Sequence, residues 1–184
     1  MKIAGFRIER ERPDILKGLV AGLVAGLVAT WLKDRFQTKL TQLQTVHEPR
    51  PEAGDPAAQN ESKISDDPTT VKAAKAVSEK LFHHELTKKE KELAGPLVDY
   101  GFGAVAAMAY GAVAEVVPEA TIGGGTAFGT AVWLFGDELA VPAVGLSDWP
   151  NKYPLSTHGY ALGGHLVYGA ATELVRRIVR KALD

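Results

Sequence analysis

The sequence predicts an all-α integral membrane protein with about four transmembrane helices and an extramembrane segment between the first and the second. Three observations lead to this fold class. A four-residue unit, Gly-Leu-Val-Ala, repeats three times between Gly18 and Ala29. No charged residue occurs between Lys17 and Lys33, and three later apolar segments are bounded by charged or turn-forming residues. Residues 33–95, by contrast, are strongly polar.

These changes in composition divide the chain into three parts. Residues 1–36 form an N-terminal tail and the first transmembrane helix. Residues 37–95 form an extramembrane linker that includes an amphipathic helix, and residues 96–184 form a three-helix membrane domain. The chain has 184 residues, which is sufficient for one domain of this kind.

The first apolar helix presents a stripe of small residues. Gly18, Gly22 and Gly26 recur at i, i+4 and i+8, so they lie on one side of the helix. Small residues at this spacing allow another helix backbone to approach closely within a lipid bilayer. The basic residues before the run also fit a cleaved signal peptide. Because Trp31 is followed by cations, as at a membrane interface, we expect the helix to be retained.

The second part predicts helices joined by a linker. The first helix is expected to continue amphipathically to about Leu43, and residues 46–68 have the Pro- and Glu-rich composition of a linker. Asp67-Pro68 then predicts a cap and a first-turn proline for a helix that ends near Leu86. The sequence TKKE at 87–90 has the spacing of a capping box, which predicts a short helix that ends at Gly95-Pro96.

Three further apolar segments predict the remaining spans, at about 97–117, 121–141 and 155–175. Four spans place both termini on the same side of the membrane. Five cations in residues 1–17 and four in residues 176–181 predict that this side is the cytoplasm. The second and fourth spans would then run in the same direction.

Two short segments of the membrane domain resemble one another. Residues 110–115 read YGAVAE and residues 168–173 read YGAATE, an echo that places Gly111 and Gly169 at equivalent positions. One interpretation is that two related parallel helices pack through these glycines. The other is chance similarity between helices rich in glycine and alanine.

A few ionisable residues within the apolar segments are candidates for chemistry. His165 lies about midway along the fourth segment, where an imidazole serves either as a proton relay or ligand, or as a neutral partner of a neighbouring helix. Glu173 has Arg177 one turn away as an ordinary i+4 partner. Glu115 has no cation nearby in the sequence, so its partner must come from another helix.

Four further residues are expected at the outer mouth of the bundle: Asp99, Asp137, Glu138 and His158. They could bind a cation or a basic partner, or could be solvated acids at the interface. The chain has no cysteine and no recognisable catalytic or phosphate-binding motif, so we expect neither an enzyme nor a metal site. The sequence indicates no particular cofactor.

Several phrases of the sequence resemble a known family. They are KELAGPLVDYGFGA at 91–104, YGAVAE at 110–115, and longer matches within 121–147 and 153–177. These phrases resemble the YagU-like family of bacterial inner-membrane proteins of unknown function, over most of residues 88–180. The resemblance implies a small multi-pass protein of the bacterial inner membrane and supplies no catalytic residues.

Two classes of function follow from these patterns. The first is a non-enzymatic protein that acts by helix association, as a homo-oligomer or as an accessory subunit of a membrane complex. The alternative is a proton- or cation-linked transporter or channel that uses His165 with Glu115 or Glu173. The alternative requires a water-accessible cavity that reaches His165. The expected partners are the lipid bilayer and other membrane subunits or a second copy, whereas a net charge of −1 gives no reason to expect nucleic acid.

Overall fold

The computed structural model describes residues 13–47 and 67–184, and all regular secondary structure within these ranges is helical. The predicted all-α class is therefore confirmed. The basic residues expected at the start of the chain and most of the linker predicted at 46–68 lie outside the described residues.

In chain order the α-helices are α1 (Ile15–His47), α2 (Thr69–Val77), α3 (Lys88–Val116), α4 (Thr126–Val132), α5 (Val141–Ala143) and α6 (Leu155–Ala182). A π-helical turn, Ser78–Phe82, extends α2. A longer π-helical segment, Trp133–Ala140, joins α4 to α5 without a break. Two 3₁₀ turns, Pro118–Thr121 and Pro150–Lys152, lie in the connections on either side of this run.

The prediction that a short helix ends at Gly95-Pro96 is wrong. The capping box forms, since Glu90 N–H donates to Thr87 Oγ1 and the Thr87 N–H donates to the Glu90 carboxylate. The helix that it starts nevertheless runs for 29 residues with Pro96 inside it. A proline inside a helix removes one backbone hydrogen bond and its ring crowds the preceding turn, yet α3 continues through Pro96. Gly95 also packs against Val71 of α2, which holds this part of α3 in position.

The start and the end of α2 also differ from the sequence prediction. Pro68 occupies the N-cap position, and no side chain caps the helix. Asp67 instead accepts hydrogen bonds from Lys75 and Lys91. The π-helical extension of α2 ends at Phe82 rather than near residue 86, because His83 adopts a left-handed conformation with φ of 50°.

Helix α1 is the common neighbour of the two other long helices. Its N-terminal end meets the end of the chain, where Lys17 pairs with Asp184, two residues after α6 ends. Further along, Lys33 pairs with Asp99 of α3. Gly18 also lies against Gly111 of α3, and Phe36 lies against Gly163 of α6. Helix α1 therefore runs antiparallel to both α3 and α6, and these two helices run parallel to one another.

The glycine stripe of α1 packs on α3 of the same chain. A Cβ added to Gly18 would lie 2.6 Å from the carbonyl oxygen of Gly111, and one added to Gly26 would lie 2.8 Å from the Cβ of Ala107. One added to Gly22 would meet the Ala107 carbonyl oxygen. The helices approach this closely only because these positions lack side chains.

A second close approach joins α4 to α6. Gly123, Gly124 and Gly125 turn the chain into α4 with φ values of 75°, 62° and 88°, which L-residues with side chains rarely adopt. Gly129 of α4 then lies against the backbone of Gly169. This contact sets α4 antiparallel to α6.

Two helical stretches of the described chain, Ile15–Leu43 and Lys88–Val116, are long and apolar enough to span a membrane. The continuous helical run 126–143 and α6 are the other two predicted spans, and the total of four remains a prediction.

Candidate functional site

A cavity of about 810 Å³ lies between three helices, at the end of the bundle opposite the C-terminus. The C-terminal half of α1 and the N-terminal halves of α3 and α6 line it. The π-helical segment Trp133–Ala140 forms part of its wall, and residues of α2 lie across one side. We call this space the polar cavity. Its size is typical of pockets for small organic ligands.

Two acid–base pairs at the polar cavity are closed, which means that a direct hydrogen bond joins the two side chains. Lys33 Nζ lies 2.7 Å from Asp99 Oδ1. His158 Nδ1 lies 2.8 Å from Glu138 Oε1, and its Nε2 lies 3.0 Å from the Pro150 carbonyl oxygen. Because both ring nitrogens of His158 face acceptors, the ring can donate from both, as an imidazolium does.

The third pair, His165 with Asp137, is open, which means that no hydrogen bond joins the two side chains. His165 is 8% exposed, and its Nδ1 faces the Ala161 carbonyl oxygen of its own helix at 3.0 Å. Its Nε2 lies 3.6 Å from Asp137 Oδ2, which is beyond hydrogen-bond distance. The Asp137 side chain is 44% exposed. A neutral ring that donates from Nδ1 carries its lone pair on Nε2, on the side of this carboxylate.

The two consecutive acids that line the polar cavity lie in the π-helical segment. Asp137 and Glu138 both line the polar cavity although neighbouring residues of an α-helix point about 100° apart. Both lie within Trp133–Ala140, and π-helical turns of this kind are frequent at functional sites.

Helix α2 covers part of the polar cavity, with Pro68, Thr69, Thr70 and Ala73 among the lining residues. Asp67 ties its N-terminal end to α3. The pKa of the Asp67 carboxyl lies below its ordinary value, because Lys91 and Lys75 donate hydrogen bonds to it.

The opposite end of the bundle is closed by buried ion pairs. Glu173, which is 2% exposed, accepts a bidentate interaction from Arg176 at 2.8 and 2.9 Å and a bond of 2.5 Å from Arg177 Nε. Tyr110 of α3 donates its hydroxyl to the same carboxylate at 2.8 Å. Every carboxylate oxygen of Glu173 is thus engaged.

Glu115 joins this arrangement from α3. It accepts from Arg180 Nε at 2.9 Å and from the Asp14 backbone N–H at 3.1 Å. Arg180 also pairs with Asp184. We call the full set the terminal ion-pair cluster: Lys17, Glu115, Glu173, Arg176, Arg177, Arg180 and Asp184.

A layer of aromatic rings separates the polar cavity from the terminal ion-pair cluster. Tyr110 stacks on Phe128 with ring centroids 4.3 Å apart, and Phe128 lies 5.8 Å from Tyr168. Tyr168 donates its hydroxyl to the Gly103 carbonyl oxygen at 2.5 Å. In the described part of the chain, the polar cavity lies on one side of these rings and the terminal ion-pair cluster lies on the other.

The structure places the candidate residues in two groups. His165, Asp99, Asp137, Glu138 and His158 all line the polar cavity. The two glutamates that the sequence linked to His165 belong instead to the terminal ion-pair cluster.

The helix-packing candidates lie at helix contacts, but the two halves of the YGAxxE echo make different ones. Gly111 faces α1, whereas Gly169 faces α4. Tyr110 bonds to Glu173, whereas Tyr168 bonds to the backbone of α3.

Sequence reasoning missed several residues of these sites. The sequence indicates only an interface anchor for Lys33 and the cations near it, and it does not predict α2 over the cavity. Arg180, the partner of Glu115, is 65 residues away in the chain. The predicted topology, which puts both residues near the cytoplasmic side, was the available signal.

Searches of the curated proteins and of the solved structures found no match. The sequence profile of one family, described as "Protein of unknown function (DUF1440)", matches residues 54–174. This match covers more than half of the chain and includes most of the polar cavity. The chain therefore belongs to the DUF1440 family.

Proposed function

We propose that the protein is a multi-pass membrane protein that binds a cation in the polar cavity and carries it across the membrane in exchange for a proton. The observation that carries this proposal is the open His165–Asp137 pair, in which a buried imidazole faces a half-exposed carboxylate at a cavity of about 810 Å³. An ionisable pair at such a place is costly in a membrane and is typical of proton and ion pathways.

The proton site of the proposal is the gap between His165 Nε2 and Asp137 Oδ2. When a cation occupies the cavity, it stabilises the ionised Asp137 carboxylate, and the pair releases its proton. When the cation leaves, the carboxylate or the imidazole takes a proton again. The aromatic layer and the terminal ion-pair cluster close the other end, which supports a transporter over an open channel.

We also infer that the protein lies in the membrane that the sequence suggested and that it is a YagU-like protein. The YagU-like resemblance over residues 88–180 overlaps most of the matched range 54–174 and supports a bacterial inner-membrane location. The cation counts near the two ends support four spans with both termini in the cytoplasm, and the polar cavity would then open to the outside.

Helix association is the second candidate function. The glycine stripe of α1 is occupied by α3, so it supports this candidate less than the sequence suggested. What favours association is the apolar surface on the other side of α1, where Leu23, Leu27 and Trp31 are exposed and can contact lipid or another subunit.

Liposomes with an acidic lumen and a trapped pH-sensitive dye test the transport proposal. Sodium, potassium and tetramethylammonium chlorides are added outside in turn. We expect at least one of them to raise the pH of the lumen with the native protein, and Asp137→Asn or His165→Gln to abolish the effect. Glu79→Gln, an exposed change outside the cavity, is the control. The proposal is wrong if no salt acts beyond its effect on empty liposomes.

A further inference from the structure

The shape and the walls of the polar cavity define the class of cation more narrowly. This step rests on the proposed function, because it names the ligand of the same site. A monovalent metal ion occupies a few coordination sites and needs no cavity of about 810 Å³. A volume of this size suits an organic molecule of moderate size.

The walls are largely apolar, with a small number of polar groups at fixed positions. Phe102, Val132, Val141 and Leu146 contribute apolar surface. Burial of an organic body against such side chains is favourable, whereas a hydrated inorganic cation gains nothing from them. Apolar walls with a few convergent polar groups are the usual composition of organic-ligand sites.

The polar groups available to a ligand select positive charge. Lys33 and His158 already hold Asp99 and Glu138 through direct hydrogen bonds. Asp137 has only the longer contact with His165, so its carboxylate oxygens are available to accept hydrogen bonds from a ligand. An anion at the same place would be repelled by this carboxylate.

Aromatic rings in the cavity favour an ammonium group in particular. Tyr153, Tyr160 and Tyr168 line the cavity together with Phe102. The faces of such rings attract organic cations by about 0.5–2 kcal/mol in general. His165 adds a buried Nε2 that has no hydrogen-bond partner in the described part of the chain and can accept from an ammonium N–H.

In the described residues, no three histidine or acidic side chains are grouped so that they could bind one metal ion. From size, walls and charge together, we propose that the polar cavity binds an organic ammonium ion with an apolar body, held by Asp137 at its charged end.

The test is a binding titration of the purified full chain in detergent. Benzylammonium is the probe, benzyl alcohol is its uncharged analogue and sodium is the inorganic competitor. We expect benzylammonium to bind at least tenfold more tightly than benzyl alcohol. Asp137→Asn should weaken its binding at least tenfold, Asp137→Glu should retain it, and sodium should not displace it. Glu79→Gln is the matched surface control.

The proposal is overturned if benzyl alcohol binds equally well, if Asp137→Asn binds benzylammonium like the native protein, or if benzylammonium does not bind. The liposome assay separates this failure from that of the transport function. Proton exchange driven by sodium or potassium and lost in Asp137→Asn, without benzylammonium binding, overturns the ligand class and leaves the transport function standing. Loss of both results overturns both proposals.

Discussion

At the scale of single residues, the structure separates ionisable groups that are fully paired from those that are not. Glu173 has a partner for every oxygen, including the Tyr110 hydroxyl from another helix. Asp137 and His165 face one another without a hydrogen bond. We assign a structural role to the fully paired groups and the proposed chemistry to the pair without a hydrogen bond.

The buried pairing of Glu173 leads to a prediction about stability. Glu173→Gln removes the charge that compensates Arg176, and an uncompensated buried charge costs about 3–5 kcal/mol. We expect thermal unfolding of the purified protein in detergent to move down by on the order of 10 °C. Glu119→Gln, at an exposed turn residue, should change the midpoint little. Equal midpoints for the two variants would contradict the account.

The sequence identified most of these residues and not their partners. The i+4 spacing predicted the pairing of Glu173 with Arg177, and the structure shows it. The stronger bidentate contact with Arg176 and the bond from Tyr110 depend on side-chain directions and on a neighbouring helix. Neither can be obtained from spacing along one helix.

At the scale of helices, the repeated glycines decide how α1 packs. The stripe Gly18, Gly22, Gly26 meets α3 through backbone atoms, and Leu23 and Val24 between the glycines are exposed on the outer surface. The sequence allowed this stripe to dock within the chain or on another chain. Docking within the chain differs from docking on another chain only in the relative position of two helices. The periodicity of the sequence does not give that position.

A substitution in the stripe tests this packing. In Gly22→Leu the new side chain would overlap the backbone of Ala107 and Met108, so α1 must separate from α3. We expect a loss of several kcal/mol and faster proteolysis of the detergent-solubilised protein. Gly101→Ala is the control, since nothing lies within 4 Å of the added Cβ. Native resistance of Gly22→Leu would mean that α1 docks elsewhere.

Helix α2 is the element whose role the sequence did not predict. Its composition indicated an amphipathic helix, and capping rules assigned Asp67 to its N-terminus. The structure uses Asp67 to tie α2 to α3 and lays the helix across the polar cavity. The choice depends on where Lys91 lies in space, and a proline at the N-cap leaves the carboxylate available for it.

This tie predicts a pH dependence for α2. The folded pKa of Asp67 is lowered, so the tie stabilises the docked helix above the ordinary value of 3.8 and is lost as the pH falls through the lowered pKa. A spin label on a cysteine at Val77, an exposed site, should be ordered at neutral pH and mobile in strong acid. In Asp67→Asn the label should be mobile at both pH values. In Glu79→Gln the label should behave as it does in the native protein at both pH values. An ordered label in Asp67→Asn would show that the tie does not hold α2.

At the scale of the whole molecule, the bundle is asymmetric along its axis. One end contains the polar cavity, the middle contains stacked aromatic rings, and the end that holds the C-terminus contains the terminal ion-pair cluster. The sequence predicted the helical class and the approximate segments. It did not predict the cavity, because α3 and α6 are each held mainly by α1, and the space beside them depends on how the π-helical segment Trp133–Ala140 is shaped.

The central claim is that the polar cavity contains water that reaches His165 from one side of a membrane. The chain has no cysteine, so a single introduced cysteine reports its own surroundings. Ala161→Cys lies in the cavity one turn from His165, and Val105→Cys lies on the outer, apolar surface of α3. Both are treated with a charged maleimide, first in intact cells and then in inverted membrane vesicles.

The account predicts that Ala161→Cys reacts from outside the cell and not from the cytoplasmic side, whereas Val105→Cys reacts from neither. The contradictory result is an Ala161→Cys that reacts from neither side, because the site would then be dry, or a Val105→Cys that reacts as fast as Ala161→Cys, because α3 would then not lie in lipid.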